Sequence, residues 1–293
     1  MLDKELVKRL LVAAVGVPLA LALVYYGGWA LAVGLSVIAA LATREFYLLG
    51  RQLEVLALPV IGITGSSLVV LSAGLTRSFE TFSPFAFGLV LGAFLLTAVS
   101  AIWLRWPGGR PLSAVPLTVT GILYGGGCLS FAILLRHFPD TQDGFQSALP
   151  FQGQLLLIFP LATTWLGDTA AYFFGHAFGN RKLIPAVSPG KTVVGGVAGL
   201  MTAAVAGMLL GGLALEFHPV PVSSALLGGA LGLVLGFAAQ VGDLVESVLK
   251  REAGVKDSGT IFPGHGGILD RFDALIFSLP VAYALVRLVW MLQ

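Results

Sequence analysis

Apolar residues fill this chain in long runs broken only by short polar stretches. About 20 apolar residues carry an α-helix across the hydrocarbon core of a bilayer. Nine runs of that kind stand near residues 10–28, 29–49, 55–76, 84–104, 112–135, 152–175, 193–215, 223–246 and 270–292. None alternates with period two, which argues against a β-barrel. The pattern predicts an all-α integral membrane protein, a polytopic bundle of about nine transmembrane helices. Lys4, Lys8 and Arg9 precede an apolar run containing Ala20-Leu21-Ala22, as in a signal peptide. That run passes through Gly27–Gly28 almost directly into a second one, so a helical hairpin is the better expectation.

Composition agrees. The chain is 57% hydrophobic and 11% charged, with a mean hydropathy of +0.92, against about 25% charged residues in soluble domains. A net charge of +2 says little about nucleic acid. The single cysteine, Cys128, excludes an internal disulfide and suits a packing position in its Gly-rich stretch. We read one membrane domain over 1–293, with mainly hydrophobic helices in 1–150 and the candidate chemistry, described below, in 151–293.

Positive charge orients the bundle. With nine crossings, all but Arg77, Arg136 and Arg287 of the seventeen Lys and Arg residues fall on one side, together with the N-terminus. Cytoplasmic loops carry such an excess, so the N-terminus is expected inside the cell, at the inner membrane, and the C-terminus outside. Glycines at four-residue spacing (Gly228, Gly232 and Gly236; Gly195 and Gly199; Gly207 and Gly211) are expected to let helix backbones approach closely.

The candidate chemistry lies in two blocks on the cytoplasmic side. Residues 243–273 hold ten Asp, Glu, Lys and Arg residues, against seventeen cationic and fifteen acidic ones in the whole chain. Gln240, Asp243, Glu246, Ser247 and Lys250 form one polar stripe at the end of the eighth run, as a helix lining a cavity would. A surface pairing of Glu246 with Lys250 at i,i+4 is the plainer alternative. Arg251, Lys256 and Asp257 follow. Gly264, His265, Gly266 and Gly267 come next, a cluster that lets the backbone approach anionic oxygens. Asp270, Arg271 and Asp273 open the last helix, where helix capping explains one aspartate but not the whole group.

Hard divalent cations take carboxylate oxygens and bridge protein to phosphate. Asp243, Asp270 and Asp273 are therefore the candidate metal ligands, and Lys250, Arg251, Lys256 and Arg271 are available to phosphate. That mixture suits a nucleotide-polyphosphate site, although no G-x-x-x-x-G-K-[ST] loop is present. The second block places Thr164, Asp168 and Tyr172 on one helix face, then Ser188, Lys191 and Thr192 in a short basic segment. An aspartate inside an apolar run needs a partner and is by default functional.

Ser247 to Arg251, Lys256 to Gly259 and Pro263 to Asp273 resemble, with spacing intact, the signature of phosphatidate cytidylyltransferases (CDP-diacylglycerol synthases). The Asp168 block and Ser188-Pro189-Gly190-Lys191-Thr192 resemble the family's second polar stretch. Gly190 stands where a basic or polar residue is expected and Val194 where glutamate is expected. The resemblance implies transfer of a cytidylyl group from CTP to phosphatidic acid, giving CDP-diacylglycerol and pyrophosphate. It implies Asp243, Asp270, Asp273, Lys250 and Arg271 as catalytic residues, and Asp168, Ser188, Lys191, Thr192, Ser247, Arg251, Lys256, Asp257 and Gly264 to Gly267 as substrate-binding. It also implies Mg²⁺, as one ion or two, and a homodimer. Two rivals are weaker. A transporter would place its polar residues at the midplane and show internal repeats. A CDP-alcohol phosphatidyltransferase would carry a D-G-x-x-A-R pattern, absent here.

Overall fold

The computed structural model describes residues 4–142, 149–215, 224–261 and 266–292. Helix follows helix: α1 (Lys4–Tyr26), α2 (Gly28–Gln52), α3 (Pro59–Thr76), α4 (Phe79–Leu104), α5 (Pro111–Arg136), a one-turn α6 (Phe138–Thr141), α7 (Gln152–Phe178), α8 (Val193–Ala214), α9 (Ser224–Glu252) and α10 (Leu269–Met291). Eight of these are long and apolar enough to cross a membrane, α2 to α5 and α7 to α10. In α1 the apolar stretch among the described residues is Ala14–Tyr26. The molecule is an all-α polytopic membrane protein. Phe87, Leu95, Ile102 and Trp103 of α4 are exposed, the reverse of a soluble helix and suited to contact with lipid.

Apart from the one-turn α6, the predicted runs and the observed helices coincide in number and order from α2 onward. One segment differs in kind. Ser188–Thr192, read above as a short basic segment, is strand β2, paired antiparallel with β1 (Lys182–Ile184) so that Lys182 faces Thr192 and Ile184 faces Ser188. The eighth run also extends further, to Glu252. Nothing in Glu246–Glu252 breaks a helix; Gly254 does, at φ +70°. Val255 N–H bonds back to Lys250 C=O and Gly254 N–H to Arg251 C=O, the paired bonds of a glycine-terminated helix end. The extra turn carries Lys250 and Arg251.

Two compact units emerge, residues 1–133 with 249–272, and 134–248 with 273–293. In the first, α2 packs on α3, α3 on α4 and α4 on α5. Polar contacts stitch these apolar helices: Thr43 Oγ1 donates to Ser66 Oγ at 2.9 Å and lies 3.1 Å from Gly121 O, and Tyr47 Oη donates to Thr118 O at 2.7 Å. Residues Ile122–Gly127 of α5 form a π-turn. A β-carbon at Gly126 there would stand 2.8 Å from Ser66 Cα.

The second unit holds α7 against α8 and α8 against α9. Gly199 would place a β-carbon 3.0 Å from Gly167 O, and Gly211 one 2.6 Å from Gly228 Cα. The glycine rows are thus contact surfaces, as expected. Leu156, Phe159, Leu235 and Tyr283 are buried in this unit.

Candidate active site

The second unit brings together polar residues of α7, β2, the C-terminal half of α9 and the first turns of α10. Lys191 Nζ lies 2.7 Å from Asp243 Oδ2. Asp168 on α7 lies within electrostatic reach of Lys191, Asp243 and Asp273. Asp168 therefore lies among two further carboxylates and the lysine that pairs with Asp243. Their placement follows from the small residues around them. A β-carbon on Gly242 would stand 2.6 Å from Asp273 O, so glycine there allows α9 to run against the first turns of α10. Gln240 Nε2 donates to Gly196 O at 2.9 Å and ties α9 to α8.

Several predicted ligands have structural work in the same unit. Thr192 Oγ1 accepts from Gly195 N–H at 3.1 Å and caps α8. Ser188 lies in the strand pair, and Ser247 Oγ donates to Asp243 Oδ1 at 3.4 Å. Glu246 is buried at 0% exposure, so it is no surface residue.

The first unit contains the other half of the charge-dense block. Asp270 is saturated: Lys250 Nζ reaches Oδ1 at 2.7 Å, while Oδ2 accepts from Gly267 N–H at 2.7 Å and from Ser258 N–H and Oγ–H, each at 2.9 Å. The reach back to Gly267 is a capping bond, and the lysine goes beyond capping. Gly266 adopts φ +79°, and a β-carbon there would stand 2.6 Å from Asp270 Oδ2, so this position suits glycine twice over. Arg251 turns to Val255 O at 3.1 Å. Lys256, Asp257 and Arg271 are exposed. Gly264 and His265 lie outside the described residues.

Sequence reasoning missed Glu45, the one acidic residue of α2, which accepts from Ser258 and from the backbone before α10. Its signal was available: a carboxylate inside an apolar run asks for partners. Beside it, Arg44, Gln52, Asp257, Ser258 and Thr260 line a cavity of about 300 Å³.

Among the described residues no three His, Cys, Asp or Glu side chains are grouped so as to hold a metal ion by themselves. The donor set still suits a hard cation: Mg²⁺ commonly takes one or two carboxylates and fills its remaining positions with water and phosphate oxygens. Asp168, with Asp243 and Asp273 in electrostatic reach, marks where such carboxylates come together.

Comparison with known proteins bears on this arrangement. A family model described as "Cytidylyltransferase family" matches residues 7–289. The chain is 30% identical to a protein of Synechocystis sp. named phosphatidate cytidylyltransferase, over 96% of each. A Bacillus subtilis (strain 168) protein of the same name is 39% identical over 57% of this chain and 56% of its own length. The uncharacterized protein YnbB of Escherichia coli (strain K12) is 38% identical over 71% of this chain and 65% of its own. The matched region thus spans less than two thirds of the last two relatives and nearly all of the first.

Proposed function

Because the chain belongs to the cytidylyltransferase family, we propose that it transfers the cytidylyl group of CTP to phosphatidic acid, giving CDP-diacylglycerol and pyrophosphate for phospholipid synthesis. The observation that carries this reading is that Lys191 pairs with Asp243 while Asp168 lies within electrostatic reach of Lys191, Asp243 and Asp273. The names of the Synechocystis and Bacillus relatives point the same way.

The chemistry asks for such a set. An oxygen of the lipid phosphate attacks the α-phosphorus of CTP; the bond from that phosphorus to the bridging oxygen breaks, and pyrophosphate leaves. The lipid already supplies its nucleophile, so no side chain needs activating. The difficulty is charge, since both substrates are anions. A bound divalent cation would screen that repulsion and stabilise the leaving group. Asp243 and Asp273 would hold it with Asp168 alongside. Substrate phosphate would compete with Asp270 for the Lys250 ammonium. Lys191, Lys256, Arg251 and Arg271 add positive charge for the nucleotide. With the positive-inside orientation, CTP enters from the cytoplasm and the lipid from the bilayer. A homodimer belongs to the same proposal and rests on the family resemblance alone.

The test is incubation of the purified protein with labelled CTP, phosphatidic acid and Mg²⁺, followed by lipid extraction. Label should enter lipid only when phosphatidic acid and a divalent cation are both present. Full labelling in EDTA would remove the metal from the mechanism; absence of lipid label with every phosphatidate would remove the reaction.

A further inference from the structure

Glu45 is 1% exposed, and both of its oxygens are occupied by the segment between α9 and α10. Oε1 accepts from Ile268 N–H at 3.1 Å; Oε2 accepts from Leu269 N–H at 2.8 Å and from Ser258 Oγ–H at 3.0 Å. A β-carbon on either Gly259 or Gly267 would overlap this carboxylate. Ser258 has a single hydroxyl proton and two carboxylates within reach, Glu45 and Asp270. Its hydroxyl serves one at a time while its backbone N–H holds Asp270. The two carboxylates therefore grip one segment through a shared serine.

Glu45 is itself held in place. One turn of α2 around it carries Thr43, bonded to α3, and Tyr47, bonded to α5. An apolar side chain would fill the same space with less desolvation cost, so the benefit of the carboxylate is where it holds its donors. We infer that Glu45 is a positioning residue for cytidylyl transfer. It fixes the segment bearing Lys256 and Asp257 and the first turn of α10, and so sets where the CTP phosphates are received. The reaction in that statement rests on the proposed function; the fixing of the segment rests on geometry alone.

The test compares wild type, Glu45→Gln and Ser258→Ala in lipid nanodiscs, by amide hydrogen exchange and by steady-state kinetics. Glutamine matches glutamate in shape but puts an NH2 group where one acceptor oxygen stood. Exchange in peptides covering 255–269 should rise in Glu45→Gln, about tenfold or more, with peptides from α3 and α7 unchanged. KM for CTP should rise about tenfold while KM for phosphatidic acid stays within about twofold. Simple loss of folded protein would lower kcat and leave both KM values alone, and that result overturns the inference, as does unchanged exchange at 255–269. Should Glu45→Gln fail to fold, Ser258→Ala decides. It removes only the shared hydroxyl and should move exchange and the KM for CTP in the same direction by a smaller factor; wild-type values in it also overturn the inference. A wild-type protein that labels no lipid would refute the reaction, and the exchange comparison would still decide whether Glu45 fixes the segment.

Discussion

Asp243 and Asp270 each sit against a lysine at 2.7 Å, yet their surroundings differ. The Lys250–Asp270 side chains are 12% and 5% exposed, and the Lys191–Asp243 side chains 25% and 34%. Removing one member of a buried pair strands the other charge and costs about 3–5 kcal/mol, whereas solvent-screened pairs contribute about 1 kcal/mol or less. Asp270→Asn should therefore lower both thermal stability and turnover, the latter about a hundredfold or more, since each 1.36 kcal/mol of barrier is tenfold in rate. Asp243→Asn should lose turnover on a similar scale while its melting temperature stays within a few degrees. Activity and thermal unfolding measured on the same preparations separate the two. An Asp270→Asn variant of normal activity would force reassignment of the site, and equal stability losses in the two variants would show that burial is not what distinguishes the pairs.

At the scale of elements, Gly228 and Gly232 on α9 and Gly88 and Gly92 on α4 share one spacing in the sequence. A β-carbon on Gly228 would overlap α8, whereas one on Gly88 or Gly92 meets nothing within 4 Å. Gly228→Val should force α8 and α9 apart, lower the melting temperature in detergent by several degrees and reduce turnover, while Gly88→Val should leave both unchanged. Equal effects at the two sites would remove close packing as the reason for the α9 glycines. The pair also shows what was legible in advance. Helix number, helix order and the polar blocks could be read because twenty apolar residues have few alternatives in a bilayer. Which neighbour each glycine row meets could not be read, because spacing gives a face and not its partner. The strand at Ser188–Thr192 was hidden for a related reason: a two-stranded ribbon so short depends on its partner, not on its own pattern. Glu45's partners could not be read, because they lie more than two hundred residues away and no motif links the two ends. Asp270 was found but its occupancy was not, since a signature marks a carboxylate without counting its donors.

The whole molecule makes a claim about sidedness. α10 has 23 residues, about 34 Å at 1.5 Å per residue, enough to cross the hydrocarbon core. In a Cys128→Ser background, Thr260→Cys and Leu292→Cys lie before and after this one helix. They should react with an impermeant thiol reagent from opposite faces of the membrane, position 260 from the cytoplasmic one. Labelling of both from the same face would overturn the crossing of α10 and the orientation with it. Distance along the chain has a further consequence, in time rather than in space. Ser258 follows Glu45 by 213 residues, and chains grow at about 5–20 residues per second, so the carboxylate waits roughly 10–40 s for its partner to be made. Until then α2 holds an acid without the partners it has in the folded protein. Closing that gap is among the last things synthesis makes available, and a chain broken off before residue 258 would be marked as unfinished by the one carboxylate of its second helix.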